Sequence, residues 1–369
     1  NPWLVALCLS LSIALVNGLA RFAYALVLPA MQADLGLTYT EAGWLNTANA
    51  IGYLVGAIAS FWAVKRVAPV ILFRLGMVVC ALALLATGIS TDFRVLSVLR
   101  LVAGVAGAPV FICSGALAAA LGAGGARESA TLVAINYAAG GGIGILLAGL
   151  ALPPLLEATG PAGWQAAWLV LGGLGVLTIP AAWWASGQVA APPSASGTAT
   201  WPWRQFTRII LAYAMFGIGY IGYMTFVVAW ARAQGAGAAG VVALWSALGI
   251  ATIASPFVLS PVTARARRGG GTAAAMGVLA IGGTIALAQA SEAALVASAV
   301  LFGLGTFMVP TTIATLIRSN LPKPAWSVAL SVLTIVFSAG QVIGPMLAGS
   351  ISDATGSLHA GLAAGVGVL

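Results

Sequence analysis

Charge is what this sequence has least of. Only 6% of its 369 residues are Asp, Glu, Lys or Arg, against roughly 25% in an ordinary soluble domain, while 61% are hydrophobic. A chain of that make-up cannot cover itself with polar surface, which excludes a soluble globular fold and points to an all-α integral membrane protein. A membrane β-barrel is excluded too, because no segments of about 10 residues with alternating polarity recur. Cysteine and histidine are equally scarce. Cys8, Cys80 and Cys113 fall one to each of three apolar runs, and His359, the single histidine, precedes the last run. That leaves neither a metal-ligand spacing nor a disulfide framework, and the cysteines read as small packing residues. Walker loops, dinucleotide fingerprints and catalytic triads are missing as well. Neither an ATP-driven pump nor a membrane hydrolase is supported, and no enzyme activity, metal or cofactor is expected.

What the chain does contain is a series of apolar runs, at about 4–31, 42–64, 69–90, 94–121, 129–153, 165–185, 207–231, 237–261, 272–290, 293–317, 325–350 and from 358 onward. A spanning helix needs about 20 apolar residues, so these read as twelve spans joined by short loops. The last run stops at Leu369 and the chain starts without Met, so both termini are expected to be trimmed and helix 12 truncated. Orientation follows from Lys and Arg near the span ends. With a cytoplasmic N-terminus, the inner side receives Lys65, Arg66, Arg74, Arg127, Arg204, Arg208, Arg265, Arg267, Arg268, Arg318 and Lys323, and the outer side only Arg94 and Arg232. Of the acids, Asp34, Glu41, Asp92, Glu157, Glu292 and Asp353 fall outside and Glu128 inside. The net charge of +8 then reflects topology, and no nucleic-acid partner is expected. The expected setting is a bacterial inner membrane, crossed many times by a monomer whose N-terminus is cytoplasmic and whose surroundings are lipid.

Between the sixth and seventh runs lies Q-V-A-A-P-P-S-A-S-G-T-A-T, a linker-like composition. It divides the chain into a six-helix bundle over 1–186, a cytoplasmic linker over 187–204 and a second six-helix bundle over 205–369. The two parts resemble each other in sequence. Residues 137–149 and 337–349 agree at seven of thirteen positions, Gly18 and Tyr24 correspond to Gly217 and Tyr223 at an offset of 199, and E-A-T-G at Glu157 answers D-A-T-G at Asp353. A near-constant register across several runs marks an internal repeat.

Against so apolar a background, Arg21 stands out. It lies deep in the first run, where a central arginine costs about 2.5–3.5 kcal/mol on the insertion scale, so such residues face a bundle interior or a wet cavity. Asn17, Arg21 and Tyr24 are spaced i, i+4 and i+7 and share one face of a regular helix. Asn46, Asn49 and Tyr53 share a face of the second run; the asparagines fit either a polar site or interhelical packing. The seventh run carries an aromatic stripe, Tyr213, Phe216, Tyr220 and Tyr223, with Tyr220 at the position of Arg21 in the repeat. A tyrosine there joins an apolar face to a hydroxyl and is a candidate for substrate contact, although such a stripe also serves packing. Thr334, Ser338 and Gln341 lie on one face of the eleventh run, with Gln341 near mid-span, and Thr306 is a weaker candidate on the tenth. Gly140, Gly144, Gly340 and Gly344 permit close helix approach, and Pro109 and Pro310 are expected to kink the fourth and tenth helices at matching places.

Two parallel six-helix repeats joined by a cytoplasmic linker resemble the major facilitator superfamily. L-S-V-L-R-L-V-A-G-V-A-G-A at 96–108 is similar to its helix 4 motif and puts Arg100 on the motif arginine. The loop between helices 2 and 3 keeps Lys65 and Arg66 but lacks the Asp and final glycines of the superfamily's pattern. G-L-A-R-F-A-Y, L-P-A-M-Q-A-D-L-G and A-G-W-L-N-T-A-N-A-I-G-Y-L in helices 1 and 2 resemble the YbfB/YjiJ branch. The resemblance implies the twelve-helix fold, a transport role, alternating access, and a central cavity lined by helices 1, 4, 7 and 10. Arg100 then either contacts substrate or ties helices together.

The resulting expectation is a secondary active transporter for a small organic anion, a carboxylate by preference. Its substrate shell would comprise Arg21, Asn17, Tyr24, Asn46, Asn49, Arg100, Tyr220, Tyr223 and Gln341. Efflux of bulky apolar or amphipathic compounds is the alternative, and a transport-dead sensor or assembly partner the second one. Coupling would run by exchange or by a substrate-borne proton rather than through Asp34 or Glu41.

Overall fold

The computed structural model describes residues 1–64, 66–122, 125–189, 201–265, 269–289 and 291–369. The heart of the expected linker and the basic positions Lys65, Arg267 and Arg268 lie outside the described residues. Among the described residues the chain forms twelve helices and no strand: α1 (Pro2–Leu35), α2 (Tyr39–Ala63), α3 (Pro69–Thr87), α4 (Phe93–Ala120), α5 (Ala126–Thr159), α6 (Trp164–Ser186), α7 (Thr207–Ala233), α8 (Ala238–Arg265), α9 (Gly270–Ala288), α10 (Glu292–Asn320), α11 (Lys323–Thr355) and α12 (Leu358–Val368). Ten of these are long and apolar enough to cross a membrane. The other two depart from the expected twelve for separate reasons. α2 has the length but is diluted by Thr40, Glu41, Asn46, Thr47 and Asn49, and α12 has only 11 residues. Large apolar side chains such as Leu177, Phe257 and Trp62 stand exposed, as a lipid-facing perimeter requires, while helical hydrogen bonding satisfies the backbone where no water can.

Local chemistry sets the helix ends. Thr38 and Glu41 form a capping box that starts α2, with the Glu41 carboxylate accepting from the Thr38 amide at 2.9 Å. Asp92 caps α4 by accepting from Arg94 and Val95 amides at 2.8 and 3.0 Å. α1 stops at Gly36, whose φ of 64° suits glycine. Two helices are irregular inside. α10 breaks at Phe307, three residues before Pro310, whose ring cannot coexist with a straight helix against the carbonyl four residues back. α4 by contrast runs as one continuous helix past Pro109. In α1 the stretch Ala14–Phe22 is wound as a π-helix, closed by an Ala23 amide donating to the Gly18 carbonyl five residues back at 2.9 Å.

Close approach at glycine repeats in both parts of the molecule. A methyl group on Gly144 of α5 would lie 2.7 Å from the Gly18 Cα of α1. One on Gly217 of α7 would lie 3.3 Å from the Gly340 Cα of α11 and 2.5 Å from the Phe337 carbonyl oxygen. The sequence-related pairs α1/α5 and α7/α11 thus meet backbone to backbone.

The face that carries Asn1 is called proximal and the opposite one distal. The contacts between α1–α6 and α7–α12 described next lie toward the distal face. The Asp353 carboxylate at the end of α11 accepts from the Tyr39 and Thr40 amides of α2 at 3.0 and 2.8 Å and from the Thr40 hydroxyl. The Glu157 carboxylate at the end of α5 accepts from the Ala238 amide that opens α8, at 3.5 Å. Each carboxylate therefore meets the positive end of a helix in the other set of six. Deeper in, Thr47 donates to the Val342 carbonyl at 2.9 Å, and Gly43 admits the Pro345 carbonyl where any Cβ would clash at 2.5 Å.

Candidate functional site

Arg21 is only 5% exposed, and its Nε and Nη2 have no hydrogen-bond partner. The guanidinium carbon lies 5.5 Å from the centre of the Tyr53 ring, a cation–π distance, and its charge reaches the hydroxyls of Tyr53 and of Tyr220 on α7. The unpaired cation thus sits where α1, α2 and α7 converge. Further rings pack on each of these tyrosines. Tyr53 packs on Phe111 at 6.1 Å, and Phe111 stacks on Tyr137 at 4.4 Å. Tyr220 stacks on Phe216 at 4.8 Å and on Phe337 at 5.8 Å, with Tyr213 extending the stack on Phe337 at 4.8 Å. Gln341 donates its amide to the Tyr220 hydroxyl at 2.7 Å, and its other amide terminus is buried without a partner.

Other expected site residues lie elsewhere. Tyr24 leaves the Arg21 face. Its hydroxyl donates to the Ala42 carbonyl at 2.7 Å, and its ring stacks on Trp168 at 6.3 Å. The cause is the π-helical stretch: a wider turn shifts the phase that a 3.6-residue period assigns to 17, 21 and 24. Asn17 is buried on the same stretch. Arg100 is enclosed with Tyr24, 1% exposed, donating to the Ala20 carbonyl, with its guanidinium carbon 5.1 Å from the centres of both the Tyr24 and Trp168 rings. It ties α1, α4 and α6 together, its Nε and Nη2 are buried without a partner, and it lies within electrostatic reach of Arg21. Asn49 donates to the Arg100 carbonyl at 3.1 Å and Asn46 to the Thr225 hydroxyl at 2.6 Å. Asn49 therefore works as packing glue within the first six helices and Asn46 as a strut to α7. Tyr223 is spent on α10, bonded to Ser298 at 2.5 Å and stacked on Phe302 at 4.0 Å. Thr306 and Thr334 bond carbonyls of their own helices, whereas the Ser338 hydroxyl is buried and unpaired. The residues brought together are Arg21, Tyr220 and Gln341. Tyr53 joins them without having been an expected ligand, although it shares the helix face of Asn46 and Asn49. Tyr137 joins the cluster through Phe111, and nothing in its own run marks it.

A bundle of twelve helices, two sets of six locked at the distal face and an unpaired cation at their meeting place, defines a membrane transporter of the major facilitator type. The chain belongs to the family described as uncharacterised MFS-type transporter YbfB, which matches residues 13–369. Among solved structures it is similar to a bacterial homologue of the human lysosomal transporter Spinster in an inward-facing, occupied conformation. That likeness has 17% identity, 96% of this chain and 83% of that one covered, and a TM-score of 0.71. It is also similar to the nucleoside transporter NupG, with 12% identity, 100% of this chain and 95% of that one covered, and a TM-score of 0.71. At these identities the likeness is one of fold. No match is found among curated proteins.

Proposed function

We propose that the chain is a secondary active transporter that carries a small organic anion, a carboxylate by preference, across a bacterial inner membrane by alternating access. The observation that carries this reading is the Arg21 guanidinium, buried at the meeting of the two sets of helices with two nitrogens unbonded. A buried cation without a carboxylate is costly, and an anionic ligand offering paired oxygens offsets that cost best. Arg21 binds the anionic group, Tyr220 and Gln341 approach it from the second set of helices, and Asn17 lines the same helix. The working unit is a monomer of two six-helix bundles, 1–186 and 205–369, joined by a linker over 187–204; the equivalent glycine contacts of α1/α5 and α7/α11 support that division. With the N-terminus cytoplasmic, as the placement of Lys and Arg favours, the distal lock closes the outer side. The parallel stack of Tyr213, Phe216, Tyr220 and Phe337 favours a second reading, efflux of a bulky apolar compound.

Transport by purified protein in liposomes tests the first reading. Arg21→Ala should abolish anion transport while the protein stays folded, and Arg21→Lys should do little better, because an ammonium lacks the planar fork that grips a carboxylate. Normal anion transport by folded Arg21→Ala protein refutes it.

A further inference from the structure

We infer that the substrate is a planar monoanion, an aromatic carboxylate bearing a ring hydroxyl, with no cationic group. This rests on the reading of Arg21 as the anion site. The charge inventory sets the first limit. All seven acids of the chain lie at helix ends: Asp34, Glu41, Asp92, Glu128, Glu157, Glu292 and Asp353. An amino acid or other zwitterion bound at Arg21 would therefore bring a buried ammonium with no carboxylate to receive it. A second anionic group fares no better. The other membrane-interior cation, Arg100, also has Nε and Nη2 unpaired, but it is 1% exposed, closed in by the Tyr24 and Trp168 rings and bonded to the Ala20 carbonyl, so its enclosure keeps a second anionic group away. One negative charge is what the site can pair.

Shape sets the second limit. Arg21 lies against the Tyr53 ring and within electrostatic reach of Tyr220, and the Tyr220 ring is 17° from parallel to Phe216 and 18° from parallel to Phe337. A flat ring joins such a stack with offset overlap, whereas a puckered or branched body does not. Gln341 sets the third. One end of its amide is committed to the Tyr220 hydroxyl, and the other end is buried and unpaired. A polar group on the substrate ring meets that demand, and a hydroxyl can do so whichever way round the amide is placed, because it both donates and accepts.

The test is thermal stabilisation of the purified full chain, repeated in Arg21→Ala, Tyr53→Leu and Gln341→Leu proteins. The probes are benzoate, 4-hydroxybenzoate, cyclohexanecarboxylate, succinate and tyrosine. The expected order places 4-hydroxybenzoate first, benzoate next and cyclohexanecarboxylate well below, with succinate and tyrosine inert. Gln341→Leu should erase a preference of roughly three- to tenfold for the hydroxylated acid over benzoate, the value of one hydrogen bond. Tyr53→Leu should bring benzoate down toward cyclohexanecarboxylate. Stabilisation by succinate or cyclohexanecarboxylate equal to that by benzoate, and lost in Arg21→Ala, overturns this inference and leaves the anion reading standing. Stabilisation by tyrosine in preference to 4-hydroxybenzoate also overturns it. Failure of every carboxylate ends both.

Discussion

Replacing Asp353 measures how much of the distal lock is electrostatic. Its carboxylate accepts from two backbone amides at 3.0 and 2.8 Å and from the Thr40 hydroxyl, all at the first turn of α2. Hydrogen bonds to charged groups contribute about 1.5–3 kcal/mol each when shielded. Asp353 is exposed, so screening brings each closer to the scale of about 0.2–1 kcal/mol seen for surface charge interactions. The charge at a helix N-terminus adds about 0.3–1 kcal/mol. The sum is on the order of 2 kcal/mol in favour of the distally closed state, and 1.4 kcal/mol is tenfold. Asp353→Ala should therefore raise the odds of the distally open state about thirtyfold. Asp353→Asn keeps an acceptor oxygen and loses the charge, a difference of roughly 1 kcal/mol or about fivefold. Glu157→Gln should do less, because its single contact is 3.5 Å long. Spin labels on cysteines at the exposed positions Thr91 and Ala293, in a chain with Cys8, Cys80 and Cys113 replaced, report the separation of the distal ends. An unchanged distance distribution in Asp353→Ala would refute the reasoning and assign the lock to packing at Gly43 and Pro345.

Two further substitutions separate packing from function. Arg100→Ala removes a cation that ties α1, α4 and α6 and leaves the Ala20 carbonyl unpaired, so it should lower stability by about 2–4 kcal/mol, while transport per folded molecule, measured in liposomes, persists. Gly144→Val presses α5 against the Gly18 backbone and should collapse the yield of folded protein, whereas Gly173→Ala, where nothing lies within 4 Å of an added Cβ, should be silent in the same expression and unfolding assays.

The membrane fold was legible because hydropathy and the scarcity of charge act at the scale of whole helices. The break at Phe307 was legible from Pro310, a local steric rule. Arg21 was legible as a charge out of place, yet its neighbours were not. The period that groups Asn17, Arg21 and Tyr24 presumes a regular α-helix, and the π-helical turn sends Tyr24 to Arg100 instead. The aromatic stripe of α7 was visible as a stripe, but its division could not be read from spacing: Tyr220 goes to the Arg21 cluster and Tyr223 to Ser298 on α10. The match of E-A-T-G to D-A-T-G was plain as repetition. Its use was hidden, because the helix start that Asp353 caps lies more than 300 residues earlier in the chain.

Energy coupling is constrained as well, through Asp34 and Glu41, the acids at the distal ends of α1 and α2. Asp34 accepts from the Trp164 indole at 2.7 Å, and Glu41 is bound into the capping box that starts α2. Both carboxylates already have structural duties at helix ends, far along α1 and α2 from Arg21. Arginine itself stays protonated at any physiological pH. Among the described residues no acid, histidine or lysine is recorded beside Arg21, and on the proposed reading the anion leaves with its own proton or in exchange for another anion. Counterflow distinguishes these routes from a protein-borne proton. Labelled anion should enter liposomes preloaded with unlabelled anion in the absence of a pH gradient, and Asp34→Asn with Glu41→Gln should change that rate less than about threefold, the cost of a surface hydrogen bond. Strict dependence on an imposed proton gradient, abolished in either of those two variants, would place the coupling proton at the distal mouth and show that these carboxylates do more than cap and brace their helices.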